Sequence, residues 1–129
     1  MGGTRGGEFA GAQIGQRLTC LEYDPALIES GRALSERLGL DAVHVQQDVL
    51  ADTCNARLKK EHTPVALHAC GDLHVRLLQL ASRNSCSQLA VAPCCYNRIA
   101  GVQYQALSAA AQASALQLSR DDLGLPLSE

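Results

Sequence analysis

Apolar and polar positions follow two rhythms along the chain, and each change of rhythm marks an element. Arg17–Glu22 (RLTCLE) alternates closely enough to predict a short strand ending in an acid. Asp24-Pro25 then supplies a helix start, with the aspartate as N-cap and the proline at the first helical position. Leu27, Gly31, Leu34 and Leu38 recur at the spacing of one helical face, and Gly39 is a natural stop. Val43–Gln47 (VHVQQ) predicts a second strand, again closed by an acid, Asp48. Asp52 is placed to cap a short helix with Leu50, Cys54 and Leu58 on one side. Pro64–Ala69 (PVALHA) and Gln88–Ala92 (QLAVA) predict buried strands, the second stopped by Pro93. Between them, Leu73–Ala81 predicts a helix with Leu73, Leu77 and Leu80 on one side. Tyr104–Ser119 predicts an Ala-rich helix, and residues 120–129 a turn leading into one more strand.

Strands alternating with helices predict an α/β fold with a mostly parallel, doubly wound sheet and right-handed crossovers. The 129 residues suit one domain, and 47% apolar content excludes a disordered chain. With aromatics at 3% and no tryptophan, the core has to come from Ala, Val, Leu and Ile. Eleven basic against 13 acidic residues give a net charge of −2, which excludes a polycationic tail and argues against stable DNA binding. No apolar run reaches the roughly 18 residues of a membrane span, so no membrane partner is expected. The start, MGGTRGGEF, lacks the apolar stretch of a secretory signal. Cys20, Cys54, Cys70, Cys86, Cys94 and Cys95 are therefore expected to be free thiols of a cytoplasmic protein. The glycines at 2, 3, 6 and 7 precede any predicted strand, whereas a doubly wound domain opens with a strand feeding its Gly-rich turn. The expectation is a single partial domain over residues 1–129, incomplete at both ends.

Ligands of doubly wound sheets bind at the carboxyl ends of the strands. Here those ends carry Glu22-Tyr23-Asp24, Asp48, His68-Ala69-Cys70-Gly71-Asp72 and Pro93-Cys94-Cys95-Tyr96. A carboxylate at Glu22 can accept from both hydroxyls of a ribose, and Asp48 can accept from an adenine amino group. Asp24 is accounted for by capping. Gly3 and Gly6 would let the backbone approach a ligand closely. His68, Cys70, Cys94 and Cys95 are zinc-ligand types, but His-x-Cys and an adjacent Cys pair match no common zinc spacing. No bound metal is expected, and half-buried thiols beside a pocket are the preferred reading. Weaker readings make Cys94 or Cys95 a nucleophile, since Pro-Cys also occurs in cytosine carbon-5 methylating enzymes, or pair Cys94 with His68 as a hydrolase. His44, His62 and His74 are expected on surfaces.

Leu21-Glu22-Tyr23-Asp24-Pro25, followed by Ile28, Gly31 and Arg32, resembles the second-strand region of class I S-adenosylmethionine methyltransferases. LHACGDL (Leu67–Leu73) together with APCCYNRI (Ala92–Ile99) resembles a subfamily with His-x-Cys-Gly at one strand end and Cys-Cys at the next. That group includes bacterial methyltransferase-domain proteins, relatives of methyltransferase-like 25 and the domain of the glutathione S-transferase C-terminal-domain-containing protein. A related pattern occurs in transfer-RNA 2′-O-methyltransferases.

The resemblance implies a Rossmann-like class I methyltransferase fold, S-adenosyl-L-methionine as cofactor, and an acceptor that is a protein, an RNA or a small molecule. It implies that Glu22 binds the cofactor ribose, that Asp48 lies beside the adenine, and that Tyr23 and Val49 belong to the same cofactor site. It places His68, Ala69 and Cys70 at the methionine end, with Gly3 and Gly6 as the remnant of the glycine loop. On the catalytic side it implies His68 as base, Asp72 orienting it or capping the next helix, and Cys94, Cys95 and Tyr96 on the wall facing the acceptor. The acid-bearing strand that normally leads into the glycine loop is absent. Three alternatives follow: a non-catalytic scaffold of methyltransferase fold, a transfer-RNA methyltransferase specifically, and a thiol- or zinc-dependent site at Cys70, Cys94 and Cys95.

Overall fold

Asp24 and Gly39 bracket the first helix as their chemistry requires. The Asp24 carboxylate accepts from the Ala26 N–H at 2.8 Å, Pro25 opens the helix, and Gly39 closes it in the left-handed region at φ 66°, ψ 32°. The computed structural model describes residues 17–125. Their order is β1 (Leu18–Glu22), α1 (Pro25–Leu38), β2 (Ala42–Gln46), a 3₁₀ turn (Asp52–Arg57), β3 (Val65–Cys70), α2 (Asp72–Arg83), β4 (Ala90–Cys94), α3 (Ala109–Gln112) and α4 (Arg120–Gly124). Gly3 and Gly6 lie outside the described residues. Among the described residues, no helix is long and apolar enough to cross a membrane.

The strands form two parallel pairs. β1 and β2 run in register from Leu18–Ala42 to Glu22–Gln46, and β3 and β4 from Val65–Ala90 to Cys70–Cys94. Parallel strands joined through helices are what the alternating pattern predicts. Among the described residues, however, no ladder joins the pairs, so the parallel order is divided between two sheets rather than one. Helix α2 contacts the 3₁₀ turn that follows β2: the Arg76 guanidinium reaches the Asp52 carboxylate at 3.3 Å and the Ala51 carbonyl at 3.4 Å, and Asn84, just past the helix, donates to Asn55 at 3.0 Å.

The buried face of α1 differs from the leucine stripe. Ile28, Gly31 and Ser35 are buried, while Leu27 and Leu38 are 41% and 54% exposed. One residue turns a helix by about 100°, so the face toward the sheet is the one containing Ser35. A polar contact goes with that rotation: Ser35 Oγ lies 2.9 Å from Nε2 of His44, on β2, and both side chains are buried. His44 is therefore a core residue, not the surface residue expected, because its strand position faces α1. His62 is exposed as expected, its Nδ1 accepting from the Lys59 N–H at 3.1 Å.

Other expectations are corrected. Asp52 is the first residue of the 3₁₀ turn rather than its cap; Ala51 holds the cap position, and Leu50 points to solvent while Cys54 is buried. β4 runs through Pro93; among the described residues β4 pairs with β3 alone, and an edge strand can lack a donor. β3 and β4 are only partly buried: Leu67 and His68 of β3 are exposed and no residue of β4 is fully buried. Among the described residues no further strand flanks this pair, and α2 packs on β3. The Ala-rich helix shrinks to Ala109–Gln112 and buries no residue. Alanine propensity alone does not hold a helix that lacks an apolar face to bury. The segment instead closes on itself: Gln103 bridges Ser119, Tyr104 N–H donates to the Leu118 carbonyl at 2.8 Å, and Arg120 N–H to Val102 at 2.9 Å. Residues 120–124 form a helix with a capping box from Ser119 and Asp122, where a strand start was expected.

Two stability measurements test this packing. Ile28→Ala is expected to cost about 2–4 kcal/mol in urea unfolding, whereas Leu27→Ala changes stability by less than about 0.5 kcal/mol; the leucine-stripe face would reverse that order. Burial pushes the Cys54 thiol above its ordinary 9.0, partly offset by Arg76 and Arg57. The folded state thus keeps this proton after the unfolded chain begins to lose it. Its contribution to stability is whole below the unfolded value and is lost as pH rises through the folded one. The urea midpoint should fall as pH rises past about 9, and Cys54→Ala should flatten that fall.

Candidate functional site at the strand ends

The register of β1 and β2 sets Glu22 opposite Gln46, and the Gln47 N–H extends the ladder to the Glu22 carbonyl at 2.9 Å. Glu22 is 6% exposed. Its Oε1 accepts from the N–H groups of Tyr23 at 2.9 Å and Asp24 at 3.2 Å, which fixes the carboxylate where the chain leaves the strand. Tyr23 beside it is 66% exposed. Asp48 is exposed, and its Oδ1 accepts from the Leu50 N–H at 2.9 Å in a tight turn, with Val49 half-buried inside it. Buried Gln47 holds this turn: its amide donates to the Asp48 carbonyl at 2.9 Å and Thr53 Oγ1 at 3.0 Å, and accepts from Arg57 at 3.1 Å.

At the ends of β3 and β4 the backbone leaves regular geometry. Leu67 pairs with Ala92 and Ala69 with Pro93, so His68 is an extra residue in β3. His68 sits at φ 56°, in the left-handed region, and its side chain is exposed. Non-glycine residues hold such angles at a cost, and they gather at functional sites. Ala69 is fully buried at 0% exposure, and Cys70 then pairs with Cys94. Their sulfur atoms lie 3.1 Å apart. That hydrogen bond is the main cause raising the Cys70 thiol above its ordinary value; burial adds to it, while Cys95 and Arg98 oppose it. Cys95 is also left-handed, at φ 46°. None of the six cysteines is in a disulfide, as expected.

Gly71 joins β3 to α2 at φ 50°, ψ −119°, and a Cβ there would overlap the carbonyl of Arg98. The Asp72 N–H donates to that carbonyl at 3.0 Å, and the Asp72 carboxylate accepts from the Ala100 N–H at 2.8 Å. Asp72 thus ties the start of α2 to the segment after β4; the bond it makes is to Ala100, not a side-chain cap on its own helix. The ring of Tyr96 meets His74 edge-to-face, with centroids 6.0 Å apart.

The strand ends therefore bring Glu22 level with the Asp48 turn, and separately bring Cys70, Cys94 and Cys95 together beyond His68. A surface depression of about 150 Å³ lined by Val102, Ser119, Arg120 and Asp121 includes none of these residues. The sequence names Gly71 only as part of the strand-end run and assigns no role to Arg98 or Ala100, which hold the loop with it; His74, expected on a surface, packs on Tyr96. Nor does the sequence assign a role to Asn97, whose Oδ1 is buried without a hydrogen-bond partner. The His-x-Cys-Gly and Cys-Cys runs were the available signal, since Gly71 and Arg98 fall within them.

Gly71 should be the least replaceable position of this loop. Gly71→Ala is expected to lower stability by more than about 2 kcal/mol, through backbone strain and the clash with Arg98. Gly39→Ala is left-handed too but has nothing within 4 Å of an added Cβ, and it should cost about 1 kcal/mol. Thermal unfolding of the two variants checks the difference.

Comparison with known proteins agrees with this architecture. No curated protein and no solved structure matches the chain. A protein family described as "Methyltransferase domain" matches residues 7–102, which include all four strands and α2. The chain belongs to this family of methyltransferase domains.

Proposed function

We propose that the chain transfers a methyl group from S-adenosyl-L-methionine and holds that cofactor along the strand ends. The observation that carries this reading is Glu22: a buried carboxylate at the carboxyl end of a parallel strand, oriented by two backbone N–H groups and level with the exposed Asp48 turn. Adjacent ribose hydroxyls are the ligand that such a carboxylate suits. Exposed Tyr23 offers a ring to the same nucleoside, and Asp48 and Val49 border the adenine. His68, Ala69 and Cys70 receive the methionine end.

When bound, the cofactor supplies an electrophilic methyl on a sulfonium. The chain's task is then to align the acceptor and, where its nucleophile carries a proton, to remove it. The exposed imidazole of His68, projected from the bulge, is the base, and Cys94, Cys95 and Tyr96 form the wall against the acceptor. Asp72 serves as a positioning residue through its bond to Ala100. A cytoplasmic protein with a protein, RNA or small-molecule acceptor fits this reading.

Calorimetric titration of the full chain with S-adenosyl-L-methionine tests it. Binding on the order of micromolar is expected, weakened about tenfold or more, some 1.4 kcal/mol, by Glu22→Gln. Glutamine keeps an oxygen for the Tyr23 and Asp24 N–H groups, and circular dichroism verifies the fold. A folded chain that does not bind, or a variant that binds equally well, sinks the cofactor assignment and leaves a scaffold role.

A further inference from the structure

We infer that Cys70, Cys94 and Cys95 form a binding site for a thiophilic divalent cation, zinc by preference. Their three sulfur atoms lie within 4.8 Å of one another, and Cys70 and Cys94 sulfurs are 3.1 Å apart. Three thiolates on one tetrahedral zinc, at Zn–S near 2.3 Å, stand about 3.8 Å from each other. The cluster thus reaches ligand spacing through side-chain shifts of well under an ångström on average.

The backbone supplies the second observation. Successive residues of an extended strand point to opposite faces, which would send Cys94 and Cys95 apart. The left-handed turn at Cys95, φ 46°, breaks that alternation and brings its sulfur to the side of Cys70 and Cys94. Across the ladder, Cys70 meets Cys94 because the bulge at His68 has already shifted the register by one residue. With no bulge, Cys70 would stand beyond Cys94 rather than beside it. Two departures from regular backbone therefore converge on one group of sulfurs.

The donor set selects the ion. Thiolates favour zinc over magnesium or calcium, which take oxygen ligands. Among the described residues, no fourth His, Cys, Asp or Glu lies within the same reach of all three sulfurs. The fourth position is accordingly left to water or to a donor atom of a bound molecule, the arrangement of reactive rather than purely structural zinc. Binding releases the thiol protons to solvent, with no change of oxidation state. This inference does not depend on methyl transfer, and its readout is metal binding alone.

The test is anaerobic titration of the reduced, metal-free full chain with Co²⁺. One equivalent should produce sulfur-to-cobalt charge transfer and tetrahedral ligand-field bands, and Zn²⁺ should abolish both by displacement. Cys70→Ser, Cys94→Ser and Cys95→Ser should each weaken binding at least about tenfold, while Cys86→Ser leaves it unchanged. Should a variant fail to fold, alkylation of the wild-type chain decides: Zn²⁺ should protect Cys70, Cys94 and Cys95, identified by peptide mass, and leave Cys86 reactive. Absence of the charge-transfer band, equal binding by the folded variants, or protection that spares these three cysteines overturns the site.

Discussion

The contact between Gly71 and the carbonyl of Arg98 is the constraint on which the strand-end site depends. It brings the segment after β4 against the turn between β3 and α2 so closely that a side chain is not accommodated. Asp72 then makes two hydrogen bonds with that segment: its N–H donates to the Arg98 carbonyl, and its carboxylate accepts from the Ala100 N–H. With these in place, the last residues of β3 and β4 have fixed neighbours, and Cys70 and Cys94 face each other across the ladder.

The two strand pairs give their ends different characters. Around Glu22 the chain is regular: a capped helix, an in-register ladder and a tight turn pinned by Gln47. The Glu22 carboxylate there bonds its own backbone, which fixes it in position. Around His68 the chain is irregular, with left-handed residues at His68 and Cys95. Strained backbone persists where surrounding contacts over-determine it, and the contacts of Arg98 with Gly71 and Asp72 fall just after those two positions in sequence. Regular geometry thus accompanies the acid suited to binding, and irregular geometry the imidazole and thiols suited to chemistry.

Local chemistry was legible in the sequence, and tertiary choice was not. Asp24, Pro25 and Gly39 announced the first helix because capping and left-handed closure are local events. The strands were legible within two or three residues for the same reason. The helix face was not, because Leu27 and Leu38 satisfy the period as well as Ile28 does, and the deciding contact, Ser35 with His44, is between elements. The alanine run misled because propensity was its whole argument; its segment found partners through Tyr104, Leu118 and Arg120 instead. At the site, the residue types at the strand ends could be read directly. Their convergence could not, since adjacent cysteines in an extended chain point apart and the left-handed turn at Cys95 has no signature in its own residue type.

Spacing along the chain is a limited guide to a thiol cluster in this fold. Zinc motifs are recognised by spacing because their ligands usually sit on one hairpin or one turn, where sequence distance measures spatial distance. Cys70 and Cys94 are 24 residues apart and adjacent only through a parallel ladder, which requires a helical crossover between them. In such a fold, short spacing is not the criterion for a thiol site; position at the carboxyl ends of neighbouring strands is. That position is also where a parallel α/β domain binds its ligands. The sulfurs of Cys70, Cys94 and Cys95 gather at that edge, which is also where the proposed function puts the acceptor.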